Sequence, residues 1–235
     1  MDIREFISGM EEIAPPALAD EFDLGRIGLV VEGRKDIGRV FCSLDATPHA
    51  VGEAVRGHAD ALVVHHTPLF HPVTSVRGHL APLLLAVLSS GLNIYVMHTN
   101  FDRAPRGVND TLAGMLGLCK AVPMKLGIVG DCNRSVREIR EILGCELLVF
   151  GQVRAPCRLA VVGGSGFDPD LIEEAVGLGA EAFLSAEPKH SVIRDSPIPL
   201  IQATHYALEA PAMKALAGRM SWTWIDDPPP MVVVP

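Results

Sequence analysis

Residues 61–68 of the 235-residue chain read ALVVHHTP, an apolar run that leads directly into two histidines. The run predicts a buried strand, and Pro68 predicts the break after it. Open α/β sheets bind their ligands at the carboxyl ends of strands. Because neighbouring strand residues point to opposite faces, we expect the strand to end at about His65, so that His66 can serve the same site. Two half-buried, satisfied histidines are the alternative interpretation, but two together at a strand edge favour a metal site.

Two later segments repeat this design. His98 and Asp102 follow one apolar run, in what we expect to be a polar loop, and His205 and Glu209 follow another. A helix that starts at His205, with Thr204 as its N-cap, would place both side chains on one face. The three segments together offer nitrogen and oxygen donors but no thiolate. Such a set suits zinc, manganese, iron or cobalt rather than a Cys-built structural site.

The composition describes a globular chain, because 49% of the residues are hydrophobic and 20% are charged. A formal charge of −8 argues against nucleic-acid binding. Charges throughout Met1–Glu12 predict no signal peptide, and the longest apolar run, Leu80–Leu92, contains Pro82 and is too short to span a bilayer. We therefore expect no membrane association. The five cysteines are widely spaced and form no C-x-x-C pair, which is typical of reduced thiols in a cytoplasmic protein.

Strands that alternate with helices predict an α/β fold. The first predicted elements are helix 3–13, strands 27–31 and 39–44, helix 48–57, the strand into His65, helix 80–88, the strand into His98 and helix 108–116. The pattern restarts after Pro123, with strands at 127–129, 146–149, 158–162 and 182–184 and helices at 135–143 and 169–177. We expect two α/β units with mixed, largely parallel sheets and a metal site at strand C-terminal ends. The first domain is residues 1–125 plus 196–235 and carries most metal ligands, and the smaller second domain is residues 126–195.

Two loops admit more than one interpretation. Residues 163–166, GGSG, follow a strand and could bring backbone amides close to an anion, but they match neither G-x-G-x-x-G nor a Walker A sequence. A tight turn is therefore favoured. Glu187 and Lys189 follow another strand, where they would serve either as a general acid and base or as part of a solvated loop.

Three charged residues lie close to the predicted ligands. Arg103 and Arg106 flank Asp102 and could bind a substrate phosphate or carboxylate. Asp45 ends a strand and could orient a ligand histidine. At the end of the chain, the apolar run Met231–Val234 predicts either a terminal edge strand or a surface that is covered in an oligomer.

Three motifs in this order resemble the NIF-three-like dinuclear metal centre family, whose members are often labelled GTP cyclohydrolase 1 type 2. They are VHHTPLF at residues 64–70, HTNFD at 98–102 with GVND at 107–110, and THYALE at 204–209. The similarity extends over nearly the whole chain. It departs from the family pattern at Phe22-Asp23-Leu24, where Trp-Asp-Asn is usual, and at Ser185-Ala186-Glu187 and Ser191.

The resemblance implies a site, a cofactor and an assembly. The residues that match the metal-binding positions of the family are His65, His66, Asp102, His205 and Glu209, with Glu209 in the place of the bridging carboxylate. The implied cofactor is two divalent ions per chain, zinc, iron or manganese. The implied assembly is a ring-shaped homohexamer of two-domain α/β chains.

Two hypotheses for function follow. The first is a metal-dependent hydrolase of the GTP cyclohydrolase type, which acts on a small molecule such as a nucleotide. In it, His98 and Lys189 transfer protons and Glu187 supports them. The alternative is a metal-binding scaffold or metal-handling protein without catalysis, because an open metal site serves delivery as well as hydrolysis.

Overall fold

A computed structural model describes residues 1–232 of the chain. Its helices are α1 (Ile3–Ile13), α2 (Pro48–Arg56), α3 (Leu80–Ser90), α4 (Thr99–Arg103), α5 (Val108–Leu116), α6 (Val136–Leu143), α7 (Pro169–Gly177), α8 (His190–Asp195) and α9 (His205–Met220). Its strands are β1 (Gly28–Val31), β2 (Val40–Asp45), β3 (Ala61–His66), β4 (Asn93–Val96), β5 (Cys119–Pro123), β6 (Ile128–Cys132), β7 (Leu148–Phe150), β8 (Cys157–Val161), β9 (Ala182–Ser185), β10 (Leu200–Gln202) and β11 (Thr223–Trp224).

The chain divides into two compact units. The first comprises residues 1–104 and the chain from residue 213, and the second comprises residues 105–212. The sequence places these boundaries at 125 and 196 instead. The first boundary differs because β5 pairs with β6 and α5 packs against β6 and β8. These contacts bring the segment before residue 125 into the second unit.

The first unit contains a five-stranded sheet in the order β1-β4-β3-β2-β11. The pairs β4-β3, β3-β2 and β2-β11 are parallel, and only β1 runs antiparallel to its neighbour. This sheet is largely parallel, as predicted. The apolar residues of β3 are fully buried because strands flank β3 on both sides.

The second unit contains a six-stranded sheet in the order β5-β6-β8-β9-β10-β7. Here only β8-β9 and β9-β10 are parallel, whereas the other three pairs are antiparallel. The α/β class with two mixed sheets is confirmed, and in this second sheet the antiparallel pairs outnumber the parallel ones. The reason lies in the connections: β5 and β6 are joined by a short turn, and the chain passes through α6 and β7 after β6 before β8 returns antiparallel to it.

Most predicted elements are found at or within two residues of their expected limits. The capping residues explain this agreement: Thr47 accepts a hydrogen bond from the amide of Ala50 at the start of α2, and Ser135 and Glu138 form a capping box on α6. Four of the listed elements were not predicted, namely α4, β5, α8 and β11. Residues 98–102 were expected to form a loop, but α4 begins directly after His98.

The end of β3 differs from the prediction. The strand continues through His66, which lies opposite Asp45 of β2. Pairing between β3 and β4 stops earlier, at Val64 and Val96. Beyond Val64 only one neighbouring strand remains, so both side chains that follow can turn towards the same edge, and their ring centroids are 4.9 Å apart.

Each unit has its own hydrophobic core, built by helices that pack on the sheet. In the first, α2 and α3 cover β2, β3 and β4, and in the second, α5 and α6 cover the central strands. No helix within residues 1–232 is both long enough and apolar enough to span a membrane. Met231 and Val232 are exposed, and the rest of the apolar C-terminal run lies outside the described residues.

Candidate metal centre

Three imidazoles meet at the carboxyl edge of the first sheet. His65 and His66 end β3, and His98 follows β4. One ring nitrogen of each lies within 4.8 Å of the others. The ring of His98 is centred 5.0 Å from that of His65 and 5.6 Å from that of His66. Parallel strands that end together therefore create a cluster of nitrogen donors inside one unit.

Each of these three rings is held at Nδ1 by an oxygen. The Nδ1 of His65 lies 2.7 Å from the carbonyl oxygen of Met97. The Nδ1 of His66 lies 2.7 Å from Oδ1 of Asp45, as the sequence suggested. A carbonyl or carboxylate oxygen can only accept, so each Nδ1 donates a proton and Nε2 is the nitrogen that would coordinate a metal. This arrangement is typical of histidines that bind metals.

Asp23 holds the third ring, and sequence reasoning did not identify it as part of the site. Both of its carboxylate oxygens lie 2.9 Å from Nδ1 of His98, and it also accepts hydrogen bonds from the amide and hydroxyl groups of Thr99. Burial by itself would raise the pKa of Asp23, but these hydrogen bonds and the charge of His98 outweigh it, so that the pKa is lowered. Asp23 is thus held as a carboxylate that orients His98.

Local hydrogen bonds explain why residues 98–102 form this structure. The Oδ1 of Asn100 accepts a hydrogen bond from the amide of His98, and its Nδ2 donates to the carbonyl of Ala14, 2.7 Å away. Phe101 is fully buried. These anchors fix the short helix α4, which would be marginal without tertiary contacts.

Asp102, on α4, faces one of the histidines. Its Oδ1 lies 3.5 Å from Nε2 of His65, and both side chains are almost completely buried. With the proton of His65 on Nδ1, a lone pair faces a carboxylate oxygen. Two electron-pair donors at this separation attract a shared cation, which is how ligands of a divalent metal are arranged.

The second unit contains a pair of donors of its own. His205 and Glu209 lie one turn apart on α9, and Nε2 of His205 is 2.9 Å from Oε2 of Glu209. The Nδ1 of the same ring lies 3.0 Å from Oε1 of Glu187. Thr204 accepts a hydrogen bond from the amide of Ala207, which confirms its predicted capping role. Glu187 thus holds His205 as Asp45 holds His66 in the first unit.

The GGSG segment, residues 163–166, packs against this pair. Gly164 has a φ of +67°, and a Cβ there would overlap the carboxylate of Glu209. The amide of Gly163 donates to Oδ1 of Asn109, and the amide of Gly166 donates to the hydroxyl of Ser185. Because these amides are engaged within the protein, the segment is a tight turn that cradles Glu209.

The remaining charged candidates lie in different surroundings. Arg103 pairs with Asp20 at 2.8 Å and donates to the carbonyl of Leu18, which indicates a structural role for this side chain. Arg106 is exposed, with a φ of +62°. Lys189 is exposed at the N-cap position of α8.

The donor set fits a borderline divalent metal. In the first unit it consists of three imidazoles and a carboxylate, and in the second of one imidazole and a carboxylate. Zinc, iron and manganese all accept this mixture of nitrogen and oxygen donors. Soft, thiolate-preferring ions are disfavoured, since none of these candidate ligands is a cysteine.

The fold and these side-chain groups define a two-unit α/β protein with candidate ligands for divalent metals. The Duf34/NIF3 (NGG1p interacting factor 3) family model matches residues 1–226, and the chain belongs to this family. The resemblance read from the sequence motifs is therefore confirmed.

Relatives and solved structures agree with this placement. A Pyrococcus horikoshii protein named "GTP cyclohydrolase 1 type 2 homolog" is 31% identical over 238 residues, which cover 93% of this chain and 92% of the relative. The structure of reduced HcgD from Methanocaldococcus jannaschii has a TM-score of 0.83 at 27% identity and covers 95% of this chain and 96% of its own. A Thermus thermophilus structure has a TM-score of 0.80 at 26% identity and covers 98% of this chain and 100% of its own.

Proposed function

We propose that this protein is a metal-dependent hydrolase that binds two divalent ions, zinc, iron or manganese. The proposed ligands are His65, His66, Asp102, His205 and Glu209. The observation that carries the proposal is that Nδ1 of each histidine is anchored by an oxygen while Nε2 of His65 and of His205 faces a carboxylate oxygen, an arrangement that suits a shared cation. The resemblance of the three sequence motifs to this family implies the same five positions.

A pair of divalent ions, when bound, activates water and polarises the bond under attack, which is the chemistry of many hydrolases. The residues of the chain would orient the substrate and move its protons. His98 is the candidate proton acceptor, since Asp23 would stabilise the positive charge that develops on its ring. Glu187 positions His205, and Lys189 is the candidate proton donor to the leaving group.

The substrate that we propose is a small molecule, with a nucleotide as the first class to test. The support is the name of the relatives, "GTP cyclohydrolase 1 type 2 homolog". The corresponding reaction is the hydrolytic opening of the imidazole ring of GTP. A fold hosts many reactions, so the site and not the fold has to decide this point. We further propose that the protein works in the cytoplasm as a homohexamer.

The test is a turnover screen of the metal-reconstituted protein against nucleotides including GTP, phosphoesters and amides. We expect turnover that requires the metal and that falls at least about a hundredfold in Glu209→Ala and His65→Ala. Glu173→Ala, which changes an exposed glutamate of α7, is the matched control and should retain full activity.

The screen also separates the two hypotheses. Metal binding without turnover of any substrate in the panel would favour the metal-handling scaffold. Turnover that survives chelation of the metal, or that Glu209→Ala leaves unchanged, would contradict the proposed hydrolase.

A further inference from the structure

A cavity of about 470 Å³ opens beside His66 in the first unit. This volume is within the range of pockets that hold small ligands. Its walls come from the ends of β2 and β3 and from the segment after β11. The lining residues are Asp45, Ala46, Thr47, His66, Thr67, Pro68, Asp227, Pro228, Pro229 and Pro230.

The walls of this cavity are rich in hydrogen-bond acceptors. Asp45 and Asp227 contribute carboxylates, and four of the lining residues are prolines, which have a carbonyl group but no N–H. The hydroxyl of Thr47 donates to Asp227, so this donor is already used within the wall. A carboxylate has several acceptor positions, so a wall that combines two carboxylates with proline carbonyls is rich in acceptors.

The charge of the lining also favours a ligand that donates hydrogen bonds. No lysine or arginine is among the ten residues that line the cavity. A phosphate placed against Asp45 and Asp227 would meet two carboxylates and no lysine or arginine side chain, which costs free energy. A group that donates N–H bonds, neutral or positive, would instead satisfy the acceptors, while the proline rings would contact its apolar surface.

We propose that this cavity binds the N–H-donating part of the substrate: an amidine or guanidine group, or the amino–imino edge of a flat heterocycle. The proposal rests on the hydrolase function, because a ligand seated beside His66 would lie next to the proposed metal ligands. Phosphate or carboxylate groups of the same substrate are excluded from this cavity. Asp227 is then the residue that determines specificity, and it is separate from the proposed metal ligands.

Benzamidine and benzoate are the probes, because they share size and shape but differ in that one donates and the other accepts hydrogen bonds. Binding is measured by calorimetry on the metal-reconstituted full chain and again after chelation. We expect benzamidine to bind and benzoate not to displace it. Asp227→Asn should weaken benzamidine binding at least about tenfold, since it removes the charge but keeps an acceptor for Thr47. Asp226→Asn, at the exposed neighbouring position, should change it less than about twofold.

A second variant keeps the proposal testable if Asp227→Asn does not fold. Pro229→Lys places a cation in the cavity at an exposed position and leaves Thr47 and Asp227 intact, and it should abolish benzamidine binding. Unchanged binding in both Asp227→Asn and Pro229→Lys, or displacement of benzamidine by an equal concentration of benzoate, would overturn the proposal.

The failure of this proposal and the failure of the hydrolase function give different results. The metal content of Asp227→Asn should equal that of the wild type. Binding of benzamidine that depends on Asp227, in a protein without turnover, would refute the hydrolase and leave the donor-selective cavity standing. If the protein turns over substrate but Asp227→Asn changes neither the KM nor the inhibition by benzamidine, only the proposal for the cavity is refuted.

Discussion

Asp23 and His98 lie 75 residues apart in the chain, and both carboxylate oxygens of Asp23 are 2.9 Å from Nδ1 of His98. This contact fixes the tautomer of His98, whose ring lies beside the rings of His65 and His66. A turn before the first strand thereby orients a residue that follows the fourth. The orientation of the proposed proton acceptor thus depends on a residue far from it in the sequence.

Asp23→Asn should therefore lower metal-dependent turnover about tenfold to a hundredfold while the fold and the metal content are retained. An amide no longer stabilises the positive charge that develops on His98 as a carboxylate does. Turnover of the metal-reconstituted variant measures the effect, and metal analysis and circular dichroism check the metal content and the fold. Asp20→Asn, in the same segment, removes an ion pair with Arg103 and is the control. Equal turnover in both variants would show that Asp23 does not orient His98.

Gly164→Ala should displace Glu209 and reduce the metal content. The positive φ disfavours any side chain at this position, and the new methyl group would overlap the Glu209 carboxylate. Gly177→Ala is the matched control, because a Cβ at this last residue of α7 meets no atom within 4 Å. We expect Gly177→Ala to keep its metal and to be equally stable or slightly more stable. Metal analysis of both purified variants measures the effect. Full metal occupancy in Gly164→Ala would contradict the claim that residues 163–166 position Glu209.

The sequence predicted the parts of this molecule that depend on local signals. Helices α1, α2, α5 and α7 have clear stops or caps, and they begin and end within one residue of the prediction. The second sheet was less predictable, because strand direction depends on which strands pair, and a strand such as β5 is exposed along its whole length. An exposed edge strand lacks the buried periodicity that marks a strand in sequence.

The candidate site was predicted only in part, for a related reason. The histidines and carboxylates stand out because they end apolar runs. The acceptors that hold the histidine rings have no such signal in the sequence. The acceptor for His65 is the carbonyl of Met97, and any residue offers a carbonyl. Asp23 lies among other acidic residues, and only the tertiary fold brings it to His98.

Asp60 provides a test of electrostatics outside the site. Burial would raise the pKa of Asp60, but hydrogen bonds from the amides of Arg39 and Gly38 and from Arg34 lower it below the ordinary 3.8. The ionised carboxylate therefore stabilises the folded state above pH 3.8, and this contribution is lost as the pH falls through the lower, folded-state value. Asp60→Asn should cost about 1 kcal/mol at pH 7.

Urea unfolding at pH 7 and at pH 3 measures this difference. The gap in the free energy of unfolding between wild type and Asp60→Asn should narrow at the lower pH. Asp36→Asn, at an exposed position of the same unit, is the control and should show no gap at either pH. A gap that widens on acidification would contradict the assignment.

The proposed assembly predicts a mass of six chains in solution. Closed rings bury apolar surface that a monomer would expose, and this chain has exposed apolar side chains on α3, at Leu85 and Leu88. Light scattering coupled to size exclusion at micromolar concentration gives the mass directly. A monomer or dimer mass would refute the ring and leave the metal ligands unaffected.

The number of metal ions per chain tests the central proposal most directly. After reconstitution with zinc, manganese or iron and removal of excess metal, elemental analysis should find two divalent ions per chain, and acid should release them as the histidines protonate. His65→Ala should lower the count, and circular dichroism checks that the chain stays folded. A reconstituted wild-type protein that retains no metal would contradict the account, and a count of one would contradict the dinuclear centre.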